Sequence, residues 1–205
     1  MIQVNPKSLT VDDFIVQYGD QDQYELIDGE LVDVEPTGLH EQVIGFLARK
    51  LNVEIDRLNL PYLIPHRCLI RVSDRTAFRP DLVVLDQTKL GQEPLWRSQP
   101  IITSDVAIKL IAEVVSTNWQ NGYARKVEDY ALLGVPEYWI TDYLGLGGRE
   151  YIGIPKQPTI TICRLVDEFY DKVLVRQRDL VSSVSFPELQ LQADEIFAAG
   201  QVVHE

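Results

Sequence analysis

The chain has 205 residues, 45% of them apolar and 24% charged, and carries a net charge of −12 from 19 basic and 31 acidic side chains. This composition excludes a disordered chain and suffices for one domain with a substantial core. The negative balance counts against a large electrostatic surface for nucleic acid, which needs clustered Lys and Arg, but leaves room for a small, locally basic site or one that gathers divalent cations.

No stretch approaches the roughly 18 uncharged apolar residues that a membrane span needs. The opening "MIQVNPKSLT" lacks the basic and apolar regions of a signal peptide. Cys68 and Cys163, the two cysteines, sit among apolar neighbours and read as buried thiols. These features predict a cytoplasmic protein. No linker, charge run or repeat divides it, so residues 1–205 are read as one domain. Its parts are an N-terminal helix and hairpin (about 9–35), a core (about 39–141) and an antiparallel extension (about 142–199).

In chain order, "LTVDDFIVQYG" (9–19) predicts a short helix capped by Thr10, with Asp12 and Asp13 in its first turn and Gly19 at its end. "YELIDGELVDVEP" places Asp28-Gly29, a preferred type I′ turn, between two short apolar runs, which predicts a β-hairpin stopped by Pro36. Leu39, Val43, Phe46, Leu47, Leu51, Ile55 and Leu58 recur at helical spacing and predict a long amphipathic helix. "YLIPHRCLIRV", "FRPDLVVLD", "AIKLIAEVVS" and "PEYWITD" read as four strands, with a loop over 87–103. The helix "NGYARKVEDYALLG" between the last two implies a crossover packed on the sheet. "LGLGGREYIGIPKQP" lacks the pattern of a phosphate loop and reads as a hairpin excursion, with a dimer interface as one use for it. "TITICRLV", "FYDKVLVRQ" and "LVSSVSF" read as antiparallel strands, and "ADEIFAAG" as a final helix. The expected fold is mixed α/β: a central sheet, a long helix on one face, and antiparallel additions.

Three residues could carry chemistry. Asp81 opens the apolar run "LVVL". Glu113 lies inside the next strand and shares a face with Ile111 and Val115, where an ionised carboxylate is costly unless paired or coordinated. Lys126, three residues after Tyr123 and four before Tyr130, borders the stripe of the following helix that faces the sheet, within reach of Glu113. Two carboxylates on neighbouring strands can share one hard cation such as Mg²⁺ and leave positions for phosphate oxygens, and a lysine nearby can orient or help deprotonate the attacking water and offset charge on the phosphate. The structural alternative is a buried Glu113–Lys126 ion pair with Asp81 capping a turn after Pro80.

The stretches "YELIDGELVDVEPTGLHEQV", "RPDLVVLD", "IAEVVS" and "KVEDYALLGVPEYWITDY" resemble the Uma-type family of restriction-endonuclease-like proteins, within the PD-(D/E)xK nuclease superfamily. The resemblance runs from about Tyr24 to Phe197. It implies a restriction-endonuclease-like mixed sheet with an αβββαβ core and a site dependent on Mg²⁺ or Mn²⁺. It places the first metal carboxylate at Asp81, the second at Glu113, and the lysine, displaced onto the following helix, at Lys126. Departures are "STNW" where relatives have "SPST", and Asn121-Gly122 where relatives carry an acid ahead of the lysine.

Further candidates carry weaker signals. Glu30 opens the second hairpin strand and matches a recurrent family carboxylate, though the residues alone read it as an exposed strand glutamate. His40 begins the long helix at another recurrent position; its roles are structural, phosphate-binding or acid–base. Ser116 and Asn118 could bond a phosphate or cap the next helix. Arg79 could hold a nucleic-acid backbone. Trp139 reads as core. The expected function is a metal-dependent nuclease acting on nucleic acid, with DNA favoured and a homodimer to cut two strands. The alternative is a weakly active or inactive nuclease fold serving as a binding module.

Overall fold

The structure, a computed structural model, describes residues 8–34, 36–116 and 121–202. Helix α1 (Val11–Tyr18) starts where the sequence places it: the Thr10 hydroxyl accepts the Asp13 N–H at 3.1 Å, and the Asp13 carboxylate accepts the Thr10 N–H at 3.2 Å. This reciprocal cap satisfies two N–H groups that the first turn cannot. Thr10→Ala should cost about 1 kcal/mol in urea denaturation; an unchanged midpoint would show that the cap contributes nothing.

Strands β1 (Tyr24–Ile27) and β2 (Glu30–Asp33) form the expected hairpin, and Asp28 and Gly29 both take the positive φ of a type I′ turn, 52° and 84°. Helix α2 (Gly38–Leu58) is capped by Thr37 and buries Val43, Leu47, Leu51 and Ile55. Lys50, on its other side, meets Glu195 of the last helix at 2.7 Å.

The next two expected strands each divide. The first becomes β3 (Tyr62–Leu63) and β4 (Leu69–Arg71); the second becomes β5 (Ala77–Phe78) and β6 (Leu82–Asp86). Pro65 and Pro80 lie in the breaks, where the missing N–H ends a ladder. At each break the chain passes between sheets, so two sheets replace the single expected one. The smaller has order β2-β1-β5-β4-β7, with β7 (Ile101–Ile102) emerging from the expected loop. The larger takes β3 and β6 at one side, followed by the four strands that come later in the chain.

Strand β8 (Ile108–Val114), a π-helical turn (Asn121–Arg125), α3 (Lys126–Leu133) and β9 (Glu137–Asp142) form the expected crossover, and β8 and β9 pair in parallel. The connection to β10 (Thr159–Val166) holds one helical turn, α4 (Arg149–Ile152), and β10 pairs with β9 and with β11 (Phe169–Val175). "LVSSVSF" forms no strand. Leu180 makes one isolated bridge to Gln192, and the segment is held instead by Glu137, whose carboxylate accepts from Ser183 Oγ and Ser185 N. Its alternation reflects alternating burial without a ladder partner. Helix α5 (Ala193–Ala199) closes the described fold.

The molecule therefore stacks in layers. Helices α2 and α5 cover one face of the larger sheet, around Leu47, Val84, Ala112 and Trp139. Between the two sheets lie Phe78, Ile111, Val115, Tyr130 and Tyr138. Helix α1 packs on the outer face of the smaller sheet through Val11 and Phe14 against Leu26 and Ala77.

Candidate active site

The inter-sheet layer is where a charged group costs most, and four charged side chains meet at its edge. Strands β6 and β8 are antiparallel with Leu82 opposite Ala112, so Asp81, one residue before β6, falls opposite Glu113 on the same face. Asp81 is anchored there by the Val114 N–H, which donates to its Oδ2 at 2.7 Å. Helix α3 lies over this face and directs Lys126 at the strand: its Nζ is 2.9 Å from Glu113 Oε1. The expected convergence of Asp81, Glu113 and Lys126 is thus present in the fold.

A fourth charged group was not read from the sequence. Glu25 of β1 is 1% exposed, and its Oε1 accepts from Lys126 Nζ at 2.9 Å and from the Arg79 N–H at 2.8 Å. Its signal was the same as Glu113's, a carboxylate inside the apolar strand "YELI". The hairpin thus reaches across from the smaller sheet and gives Lys126 a second carboxylate beside Glu113. Tyr130, one turn along α3, donates its hydroxyl to Glu113 Oε1 at 3.1 Å, and the Phe78 ring lies 5.2 Å from the Lys126 ammonium.

Three carboxylates (Glu25, Asp81, Glu113) against one ammonium leave two formal negative charges in a largely dry place, since Glu113 is 8% and Lys126 7% exposed. Burial pushes the Glu113 carboxyl up to about 8; Asp81 and Glu25 push the same way and Lys126 opposes them. Burial also works against the Lys126 ammonium, but Glu113, Glu25 and Asp81 outweigh it and hold its pKa above the ordinary lysine value. Burial is the larger cause for Glu113 and opposes the charge on Lys126, while the surrounding carboxylates push both groups toward the protonated form. Lys126 is therefore a fixed cation rather than a proton acceptor.

Among the described residues, no donor reaches Asp81 Oδ1 or Glu113 Oε2, and no three His, Cys, Asp or Glu side chains are arranged to hold a metal ion. Two carboxylates with one oxygen each to offer, and an excess of negative charge, suit a hard divalent cation that keeps several waters.

The weaker candidates divide. His40, 6% exposed, joins the site: its Nε2 lies 3.1 Å from Asp81 Oδ2 and 3.1 Å from the Val114 carbonyl oxygen. Glu30 pairs with Ile27 and so shares the hairpin face of Glu25, one strand outward, but is exposed. Ser116 is exposed two residues beyond β8. Asn118 lies outside the described residues, as do the side chains of Asn121 and Gly122. Arg79 is engaged within the fold. Its guanidinium donates to the carbonyls of Tyr24 (3.1 Å), Gly19 (2.8 Å) and Tyr18 (3.4 Å), locking the end of α1 to β1, with Asp22 at 3.4 Å. Those donors are spent on structure. Arg125, beside Lys126, is likewise engaged, by Asp28 and Asp129 at 2.7 Å each.

Comparison with known proteins follows the same lines. The search of curated proteins gave no match. Among solved structures, the chain is similar to a protein from Anabaena variabilis ATCC 29413 described as "a putative nuclease belonging to DUF820": TM-score 0.69 at 18% identity, covering 94% of this chain and 99% of that one. At that identity the likeness speaks for a shared fold. The family model described as "Putative restriction endonuclease" matches residues 11–194, which include every strand of both sheets and every site residue named above, and the chain belongs to that family, Uma2.

Proposed function

We propose that the protein is a metal-dependent nuclease that hydrolyses phosphodiester bonds of nucleic acid, DNA in the first instance. One observation carries this reading: in a nuclease-like fold, Asp81 and Glu113 face each other across neighbouring strands, each with one oxygen that no donor among the described residues reaches, beside a lysine held as a cation. Asp81 and Glu113 would hold Mg²⁺ or Mn²⁺, which supplies Lewis-acid stabilisation of charge on the phosphate. Lys126 donates hydrogen bonds from a fixed position. It orients the attacking water and offsets the negative charge that builds on the phosphoryl oxygens. Its raised pKa assigns proton removal to another acceptor. Glu25 keeps Lys126 in place if Glu113 turns toward a cation. Pairing of two copies would bring two such sites to two strands, which sedimentation of the purified protein measures.

The test is cleavage of a mixed panel of DNA and RNA in Mg²⁺, in Mn²⁺ and in chelator, with Asp81→Asn and Glu113→Gln beside the wild type and circular dichroism confirming each fold. Metal-dependent cutting lost in both variants is the expected result. Folded wild type that cuts nothing would favour the binding-module alternative, to which the tied-up Arg79 and Arg125 already lend some weight.

A further inference from the structure

His40 and Asp81 are far apart in sequence, yet the imidazole closes one side of the candidate metal site. Asp81 Oδ2 accepts the Val114 N–H at 2.7 Å and lies 3.1 Å from His40 Nε2, whose single N–H is shared with the Val114 carbonyl oxygen, also at 3.1 Å. Nε2 lies between two acceptors, Asp81 Oδ2 and the Val114 carbonyl oxygen, so it must be the nitrogen that carries the proton. The other nitrogen, Nδ1, is buried without a hydrogen bond, and its nearest charged neighbour is Glu41 Oε1 at 3.9 Å. The ring is placed by its helix: Thr37 caps α2 by accepting the His40 N–H at 3.3 Å, which fixes the backbone from which the side chain descends.

An sp² oxygen has two lone pairs, both in the carboxylate plane. With only the Val114 N–H bound, the Asp81 carboxylate could swing about that one contact. The shared His40 N–H beside the same oxygen restrains that swing, leaving Oδ1, which no donor among the described residues reaches, as the coordinating atom. We infer that His40 is a positioning residue that aims Asp81 Oδ1 at the divalent cation, by hydrogen bonding and not by taking part in the reaction. The inference rests on the metal-site reading above. Donors that orient a ligating side chain are worth about tenfold to a hundredfold in metal affinity.

The experiment is Mn²⁺ titration by isothermal calorimetry of the wild type, His40→Leu and His40→Gln, with thermal melts to confirm folding and a crystal structure of His40→Leu without metal. His40→Leu fills the same space without a donor and should weaken Mn²⁺ binding about tenfold to a hundredfold. His40→Gln places an amide N–H near the position of Nε2 and should restore most of that loss, which a purely space-filling role would not do. In the His40→Leu crystal the Asp81 carboxylate should be rotated about its bond to Val114. Wild-type binding unchanged in a folded His40→Leu, or a loss that Gln does not relieve, overturns the inference alone. Wild type that binds no Mn²⁺ overturns the metal-site reading and takes the inference with it.

Discussion

In metal-free buffer, Lys126→Met should lower the unfolding free energy by about 3–5 kcal/mol, the scale on which removing one partner strands a buried charge. The ammonium lies 2.9 Å from both Glu25 and Glu113, and these two side chains are all but excluded from water. Methionine matches the length of the stem but strips the buried Glu25 carboxylate of its cation, while Glu113 holds a proton at neutral pH. Chemical denaturation in chelator measures the loss. The double variant Lys126→Met/Glu25→Gln should recover part of it, because the second change removes the stranded charge. A loss under about 1 kcal/mol would mean that water enters the cluster freely, as it does around surface pairs.

Glu113→Gln should do the reverse at neutral pH: raise the stability of the metal-free protein while abolishing metal-dependent activity. The sign follows from linkage. The folded-state pKa of Glu113 stands near 8 against an ordinary value of 4.5, so the folded state holds a proton that the unfolded chain has released. The associated stability is fully present below about 4.5 and is lost as pH rises through about 8. Over that window the effect is on the order of a few kcal/mol. His40 is raised as well: burial opposes its charged form, but the hydrogen bond and charge of Asp81 outweigh it, so its contribution is present below 6.5 and also fades as pH rises. Both proteins retain His40, so their difference isolates Glu113. Melting temperatures of wild type and Glu113→Gln from pH 4.5 to 9 should diverge upward with pH in favour of the variant. Parallel curves would show that Glu113 is ionised throughout, as a plain structural pair with Lys126 would have it.

The same cluster shows what can be read from one chain and what cannot. Glu113 was legible because a carboxylate stood in a run of Ile, Leu, Ala and Val, and Lys126 because helical spacing set it on the stripe facing that strand. Glu25 sat in an equally apolar strand and was passed over, because nothing local says that the hairpin folds back across Lys126, 101 residues later. The partners of Arg79 were hidden for a related reason. They are main-chain carbonyls about 60 residues away, and every residue carries that acceptor, so the sequence holds no mark of it.

By itself, the sequence determined the local elements: the Thr10 cap, the Asp-Gly hairpin, the apolar stripe of α2, the β8–α3–β9 crossover, and the family pattern placing Asp81, Glu113 and Lys126 in one site. These depend on contacts within a few residues or on motifs in a fixed order. Only the tertiary structure decided that "YLIPHRCLIRV" and "FRPDLVVLD" each divide between two sheets, that "LVSSVSF" hangs on Glu137 without a ladder, and that Glu25 and His40 complete the cluster. Strand pairing and buried charge are settled by partners distant in the chain, and the choice among partners is made by which arrangement leaves no charge or hydrogen-bonding group stranded in the core.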